Sequence, residues 1–268
     1  MERVMCPPTY FDVEYSINPW MDVANAVDVG LAHEQWHALV ELLEALGDVI
    51  HVVDAAPGLP DMTFAGDAGL VWGRRFVPSR FRHPERREEV DHFVDWFTER
   101  EFDVAPLPDG VVFEGLGDVV FHDRQAFVGF GPRSDERALE ALRGLIPELE
   151  VLARLEIVDD RYFHLAMALG FVDARTVLYY PPAFTPASNE AIRRAVPNAI
   201  AIGDEDANVF FACNNLVVGD KVILDMCTPE LRAELGAHGY EPVPCAMSEF
   251  KKSGGSLRCL VLTMLEPA

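Results

Sequence analysis

The sequence predicts an α/β fold in which five similar units close radially, forming one domain over residues 1–268. Three observations carry this. Helical patterns start near residues 31, 84, 135, 187 and 228, about 50 residues apart and then about 40. A fixed period of this size marks a repeated supersecondary unit that buries its apolar face against its neighbours. Short β-rich runs bounded by Gly, Pro and Asp lie between the helices. The one dense glycine segment, SGGS at 253–256, precedes an apolar run rather than opening a helix. That speaks against the phosphate loop of a doubly wound sheet.

In chain order, LAHEQWHALVELLEAL (31–46) reads as a helix and DVIHVV (48–53) and GLVWG (69–73) as strands. PERREEVDHFVDWFTER (84–100) opens on Pro84, a residue suited to a first helical turn. VVFEG (111–115), DVVFH (118–122) and AFVGF (126–130) read as strands, then DERALEALRGLIPE (135–148) as a helix behind Ser134. TVLYY (176–180) is a strand and ASNEAIRRAV (187–196) a helix opened by Ser188. NVFFACNNLVVG (208–219), KVILDM (221–226) and LRCLVLTML (257–265) are strands around a helix at 228–238 that Thr228 and Pro229 start.

Half of the residues are apolar, enough for a sizeable core, yet no run reaches the about 18 apolar residues of a membrane helix. The opening MERVMCPP lacks a signal-peptide pattern, so a cytoplasmic protein without membrane partners is expected. A net charge of −22 disfavours nucleic acid and anionic lipid. The five cysteines, Cys6, Cys213, Cys227, Cys245 and Cys259, are odd in number and lack CxxC spacing. Neither a disulfide framework nor a structural zinc site fits that pattern, and a free thiol remains.

Polar residues recur beside the apolar runs: Asp61 and Asp67, then Glu114 and Asp118, His164, Asn214 and Cys259. At spacings near 50, a closed ring brings them together at its axis. Each also has a structural reading. Cys259 alternates within an apolar strand and free cysteine is often buried; His164 fits a core position; Glu114, Asp118 and Asp61 fit turns. Gly254 and Gly255 tip the balance, because they let the backbone approach a ligand closely just before a thiol. Together the set makes chemical sense. A thiol needs a basic partner, a histidine held by a glutamate moves protons, and several carboxylates in one pocket need a cation. A planar guanidinium is the cation that pairs best with carboxylates.

The stretches MCPPTYFDVEYSINPWM, LPDMTFAGDAGLV, FEGLGDVVF, GFGPRSD, FHL, CNNLVVG and SEFKKSGGSLRC resemble the amidinotransferase-like guanidino-modifying superfamily, from Met5 to Thr263. The resemblance implies the pentein fold, a five-bladed pseudo-symmetric α/β-propeller. It implies that Cys259 attacks the guanidinium carbon, that His164 protonates the leaving amine and activates water, and that Glu114 orients His164. Asp61 and Asp67 would clamp guanidinium nitrogens, Phe64 would border the alkyl chain, Arg86 and Arg133 would hold an α-carboxylate, and the loop at Asn18 would form a lid. No metal or organic cofactor is implied, and a homo-oligomer is left open.

Within the superfamily, arginine deiminases carry an aspartate where Ala166 stands, whereas dimethylarginine dimethylaminohydrolases lack it and share the Asp61 and Asp67 segment. An acidic residue frequent in that segment is Gly66 here. The expected activity is hydrolysis of methylarginine to citrulline and a methylamine. The alternatives are arginine deiminase and arginine dihydrolase, the latter with an asparagine in place of Asp67, then an amidinotransferase. A non-catalytic binding protein of the same fold comes last, since Cys259, His164 and Glu114 are all present.

Overall fold

The computed structural model describes residues 1–265. Its elements in chain order are β1 (Glu2–Met5), α1 (Val29–Ala45), β2 (Val49–Val52), β3 (Gly69–Trp72), β4 (Arg75–Pro78), α2 (Glu89–Glu99) and β5 (Asp103–Val104). Then come α3 (Gly115–Asp118), β6 (Val119–His122), β7 (Gln125–Phe130), α4 (Ala138–Leu145) and β8 (Glu150–Glu156). The third stretch holds α5 (Leu165–Ala168), β9 (Leu169–Asp173), β10 (Thr176–Tyr179), α6 (Pro186–Ala195) and β11 (Asn198–Ala201). The chain ends on α7 (Asp204–Asn208), β12 (Leu216–Val218), β13 (Lys221–Leu224), α8 (Pro229–Ala237), β14 (Glu241–Pro244) and β15 (Leu262–Leu265).

One topology repeats. An antiparallel pair is followed by a helix, and the third strand returns parallel to the second. It occurs in β3-β4-β5, β6-β7-β8, β9-β10-β11 and β12-β13-β14. The fifth unit joins the two chain ends. β15 pairs antiparallel with β1, which pairs parallel with β2 across α1. Five units whose last is completed by the first strand fit the radial closure expected from the sequence period, and the pairing of β15 with β3 welds two neighbours into a six-stranded sheet.

Helix ends follow local chemistry. Asp28, Thr185 and Thr228 each accept a hydrogen bond from the backbone N–H three residues on, and Pro186 and Pro229 fill the first helical position. The opening at Ser188 is therefore corrected to Thr185. Ser134 is not a cap either: α4 begins at Ala138, and the Ser134 hydroxyl donates to Asp118 instead. In α2 the buried Val90, Phe93, Trp96 and Phe97 form one apolar stripe, with Phe97 stacked on Phe76 of β4.

Three expected strands are also corrected. Residues 111–114 form an irregular segment with a single bridge from Phe113 to Arg80, and Gly115 already opens α3. Only 216–218 of the run 208–219 is a strand, because Asp204–Asn208 is helical and the chain turns through Asn214. Cys259 lies in a turn before β15, not within a strand. In each case apolarity reflected burial near the axis and not pairing. Short strands at 150–156, 198–201 and 241–244 went unpredicted, being the partly exposed outer strand of each unit with weak alternation. Among the described residues no helix is long and apolar enough to cross a membrane.

Candidate active site

Short helical turns enter the first strand of successive units: Ala65–Ala68 before β3, α3 before β6 and α5 before β9. They pack on one another, and their glycines allow it. A side chain at Gly66 would stand 2.6 Å from the Arg258 carbonyl oxygen, and the Gly66 N–H donates to the Cys259 carbonyl at 2.8 Å. A side chain at Gly117 would collide with the His164 imidazole at 2.8 Å. Two glycines thus make the space in which the thiol-bearing turn and the imidazole are held.

His164 precedes α5 and is fully buried. Its Nε2 lies 2.8 Å from Glu114 Oε2. Glu114 also accepts from Arg133 Nη1 at 3.0 Å and from the Arg82 N–H at 2.9 Å. Burial pushes the Glu114 carboxyl up, but the His164 hydrogen bond, the Arg133 charge and the Arg82 N–H together hold it well below the usual carboxylate range. For His164 burial disfavours the cation, and the charge of Asp67 with the Glu114 hydrogen bond outweighs it, so the imidazole titrates higher than normal. Its Nδ1 faces Asp67 Oδ1 at 3.6 Å, and neither atom has a hydrogen-bond partner among the described residues.

Asp61 and Asp67 each engage one oxygen. Tyr15 donates to Asp61 Oδ2 at 2.8 Å, and Arg86 Nη1 donates to Asp67 Oδ2 at 2.8 Å. Asp61 Oδ1 and Asp67 Oδ1 remain buried and unpartnered. Arg86 is further held by Glu89 through Nε and Nη2, over the Phe81 ring. Two buried carboxylates, Asp67 and Glu89, therefore pair with one guanidinium, while the Asp61 carboxylate feels the charges of Arg86 and Arg133 without an ion pair to either. Burial pushes Asp61 up despite Arg86, and burial followed by neighbouring charges raises Glu89 to about 8. A second cation placed here would relieve that imbalance.

Cys259 is buried, and burial first and the Asp67 charge second push its thiol up to about 12. Asn214 Nδ2 opposes this, donating to Sγ at 3.3 Å and to the Ala166 carbonyl at 3.1 Å.

One cavity collects Asp61, Phe64, Asp67, Arg86, Arg133, His164 and Cys259, so all but one of the residues to which the resemblance gives a catalytic or substrate-binding role line it. Glu114 is the exception, standing behind His164. Asp118 does not face the cavity; it accepts from Ser134 and the Leu165 N–H and anchors α5. Gly254 and Gly255 line the same cavity, and their missing side chains also make room for its walls. Gly255 admits the Phe64 ring, 2.3 Å from where a Cβ would sit, and Gly254, at φ +77°, admits Trp20 and Asn18. The close approach is to the walls, and the ligand space follows from it. Ala166 is absent from the lining, its carbonyl being covered by Asn214.

Sequence reasoning missed the roles of Asn214, Tyr15 and Glu89. Asn214 recurs at the unit spacing, and Glu89 stands three residues after Arg86 on one helical face. Nothing near Tyr15 signals that it meets Asp61.

Ile17 and Asn18 close one side. Arg133 donates to the Ile17 carbonyl, Asn18 to Ser253 and Trp20 Nε1 to Arg161, each at 3.0 Å or less. The cavity left is about 20 Å³, room for roughly one water.

This is the architecture of the guanidino-group hydrolases of the pentein superfamily, enzymes that act on the C–N bonds of amidines. The chain belongs to the dimethylarginine dimethylaminohydrolase family. It matches the sequence model of eukaryotic N,N dimethylarginine dimethylhydrolases over residues 17–266. It is 38% identical over 258 residues to the N(G),N(G)-dimethylarginine dimethylaminohydrolase of Mycobacterium tuberculosis, covering 96% of this chain and 84% of that one. It is 36% identical over 269 residues to the bifunctional arginine dihydrolase/ornithine cyclodeaminase ArgZ of Synechocystis, covering 98% of this chain but only 38% of the relative. The crystal structure of the ArgZ N-terminal domain bound to substrate superposes with a TM-score of 0.93 at 36% identity, covering 99% and 98% of the two chains. A dimethylarginine dimethylaminohydrolase adduct structure, at TM-score 0.74 and 20% identity, shares the fold.

Proposed function

We propose that this protein hydrolyses N-methylated arginine to citrulline and a methylamine through a covalent adduct on Cys259. One observation carries the reading: the unpartnered oxygens of Asp61 and Asp67, the unpartnered His164 Nδ1 and the Cys259 thiol all face one buried cavity. The bonds that hold Ile17, Asn18 and Trp20 release to admit substrate, the loop acting as the lid. The guanidinium then lies between Asp61 and Asp67, while Arg86 and Arg133 receive the α-carboxylate and Phe64 borders the alkyl chain. A cation above the sulfur favours the thiolate that burial alone opposes.

The thiolate attacks the guanidinium carbon. The tetrahedral species collapses as His164, held by Glu114, gives its proton to the departing methylamine. His164 then takes a proton from water, whose oxygen attacks the thiouronium carbon and expels the Cys259 thiolate, leaving citrulline. The whole chain acts as one catalytic unit, since its two ends complete the fifth unit. All five cysteines are free and buried, which suits the reducing cytoplasm.

The substrate preference rests on hydrogen-bond supply. Two unpartnered carboxylate oxygens serve the few N–H groups of a dimethylated guanidinium better than the full set of arginine. Each unmet donor costs about 1–3 kcal/mol, so kcat/KM for asymmetric dimethylarginine should exceed that for arginine by about tenfold or more. Ala166 contributes nothing to this, because it does not face the cavity. Incubation with both compounds and mass spectrometry of the products tests the preference; faster turnover of arginine overturns it. Arginine dihydrolase is the second reading, favoured by the 0.93 TM-score to the ArgZ domain. Ornithine and two ammonia molecules from arginine would establish it.

Agmatine tests the arginines. It lacks the carboxylate assigned to Arg86 and Arg133, and a charge-assisted contact is worth about 1.5–3 kcal/mol. Its kcat/KM should fall at least about tenfold below that of the preferred amino acid. Equal turnover would remove both assignments.

A further inference from the structure

A second cavity of about 610 Å³ lies apart from the active site, sharing none of its lining residues. Phe121, Phe171, Val217, Val261 and Leu265 give it apolar walls, and Arg258 projects into its lining. Arg258 donates from Nε and Nη2 to the Asn215 carbonyl, but among the described residues it has no carboxylate at ion-pair distance. The other guanidinium of the cavity, Arg3, is by contrast neutralised by Asp48 and bound to Thr263. Burial first, and the charge of Arg3, bring Arg258 down to about 10, so its cation is under-compensated where it stands. The four acids that share the lining are already engaged or outlying, Glu2 being paired with His51 at 2.9 Å. Asp48 is held by Arg3 and the N-terminal amine, Asp173 by Tyr240 and the Arg175 N–H, and Asp123 is exposed beside His122.

Arg258 is also wired to the active site. Its N–H donates to Asn214 Oδ1 at 2.9 Å, and Asn214 Nδ2 donates to Cys259 Sγ at 3.3 Å. One asparagine therefore touches both the residue at the second cavity and the thiol at the first.

We propose that this cavity binds a small apolar carboxylate, its carboxylate pairing with Arg258 and its body lying on Phe171 and Val217, and that its occupancy slows attack by Cys259. The slowing follows from charge. The Arg258 cation and the Cys259 sulfur interact through charge, so the cation favours the thiolate, and a bound anion cancels that help. The binding half is independent of which guanidine is hydrolysed; the second half concerns Cys259 as nucleophile and is read without turnover.

Phenylacetate, hexanoate and acetate are titrated calorimetrically into the wild-type chain and three variants. Phenylacetate and hexanoate should bind, acetate should bind more weakly, and Arg133→Ala should leave the affinities unchanged. Arg258→Gln should weaken them about tenfold or more. Val217→Trp, which covers the wall on which the ligand's body would lie while leaving Arg258 in place, should weaken binding about tenfold or more, and it serves if the Arg258 variant does not fold. Labelling of Cys259 by iodoacetamide, followed on its peptide by mass spectrometry, should slow about fivefold with phenylacetate bound. Absence of binding up to about 10 mM, binding that survives both cavity variants, or binding lost in Arg133→Ala overturns the site. Binding with an unchanged labelling rate overturns the link to Cys259.

Discussion

Replacement of Cys259 by serine should lower turnover about 10⁴-fold or more, the scale on which removal of a nucleophile ordinarily acts. Burial and the neighbouring Asp67 push the thiol up to about 12, and in the proposed mechanism a guanidinium cation lying above it favours the thiolate. A serine hydroxyl is far less acidic and gains too little from the same cation. The fold should survive, because the exchange is nearly isosteric and Asn214 Nδ2 can donate to oxygen as it does to sulfur. Acid quench of wild type during turnover should trap a substrate-derived mass on the Cys259 peptide. An active serine variant, or an adduct confined to Cys6, Cys213, Cys227 or Cys245, would remove Cys259 from the mechanism.

The repeat and the polar residues spaced along it were legible because both follow from short-range pattern. A helix with one apolar stripe, as in Val90, Phe93, Trp96 and Phe97, writes its period into the chain. So does a ring that needs one polar residue per unit at its axis. The turns were not legible. Residues 111–115 and 257–260 are apolar because they are buried near the axis, where packing against neighbouring units takes the place of strand pairing. Apolarity alone does not separate those cases. The supporting partners were harder still, since Tyr15 meets Asp61 from a loop 46 residues away and Glu114 meets Arg133 only once β6 and β7 have paired.

The same packing explains what each glycine does. Gly254 and Gly255 bring the backbone to the cavity wall, and the space of their missing side chains is taken by Phe64, Trp20 and Asn18. Gly66 and Gly117 do the equivalent for the Cys259 turn and the His164 ring. The site is assembled by removing Cβ atoms where units meet, so that carboxylates, imidazole and thiol converge on one small cavity. Gly66 also accounts for the missing acid of its segment: the carbonyls of residues 258, 259 and 261 stand where a side chain would go.

Glu114→Gln tests the pairing at the centre of that arrangement. Glu114 binds His164 Nε2 and Arg133 Nη1 through one oxygen and the Arg82 N–H through the other, all out of water. The amide keeps the shape and loses the charge. His164, whose cation is favoured by Asp67 and by Glu114, should then titrate lower. In the proposed mechanism its protonated form releases the amine, so the fall in kcat on the alkaline side should move to lower pH. At neutral pH kcat should drop about 10²-fold, the lower end of general acid–base contributions. Stability should fall as well, because removing one partner of a buried ion pair costs about 3–5 kcal/mol. The sign with pH separates the two groups. The stabilisation from His164, whose folded value is raised, is complete below its unfolded value and lost as pH rises through the folded one. That from Glu114, whose folded value is depressed, is complete above its unfolded value and lost only as pH falls through the folded one. In wild type the pair therefore stabilises most in mildly acidic solution, and the gap in melting temperature between wild type and Glu114→Gln should be widest there and narrow towards alkaline pH. A variant whose alkaline limb stays in place, with kcat lowered equally at every pH, would show that Glu114 only packs against His164 and does not hold its proton.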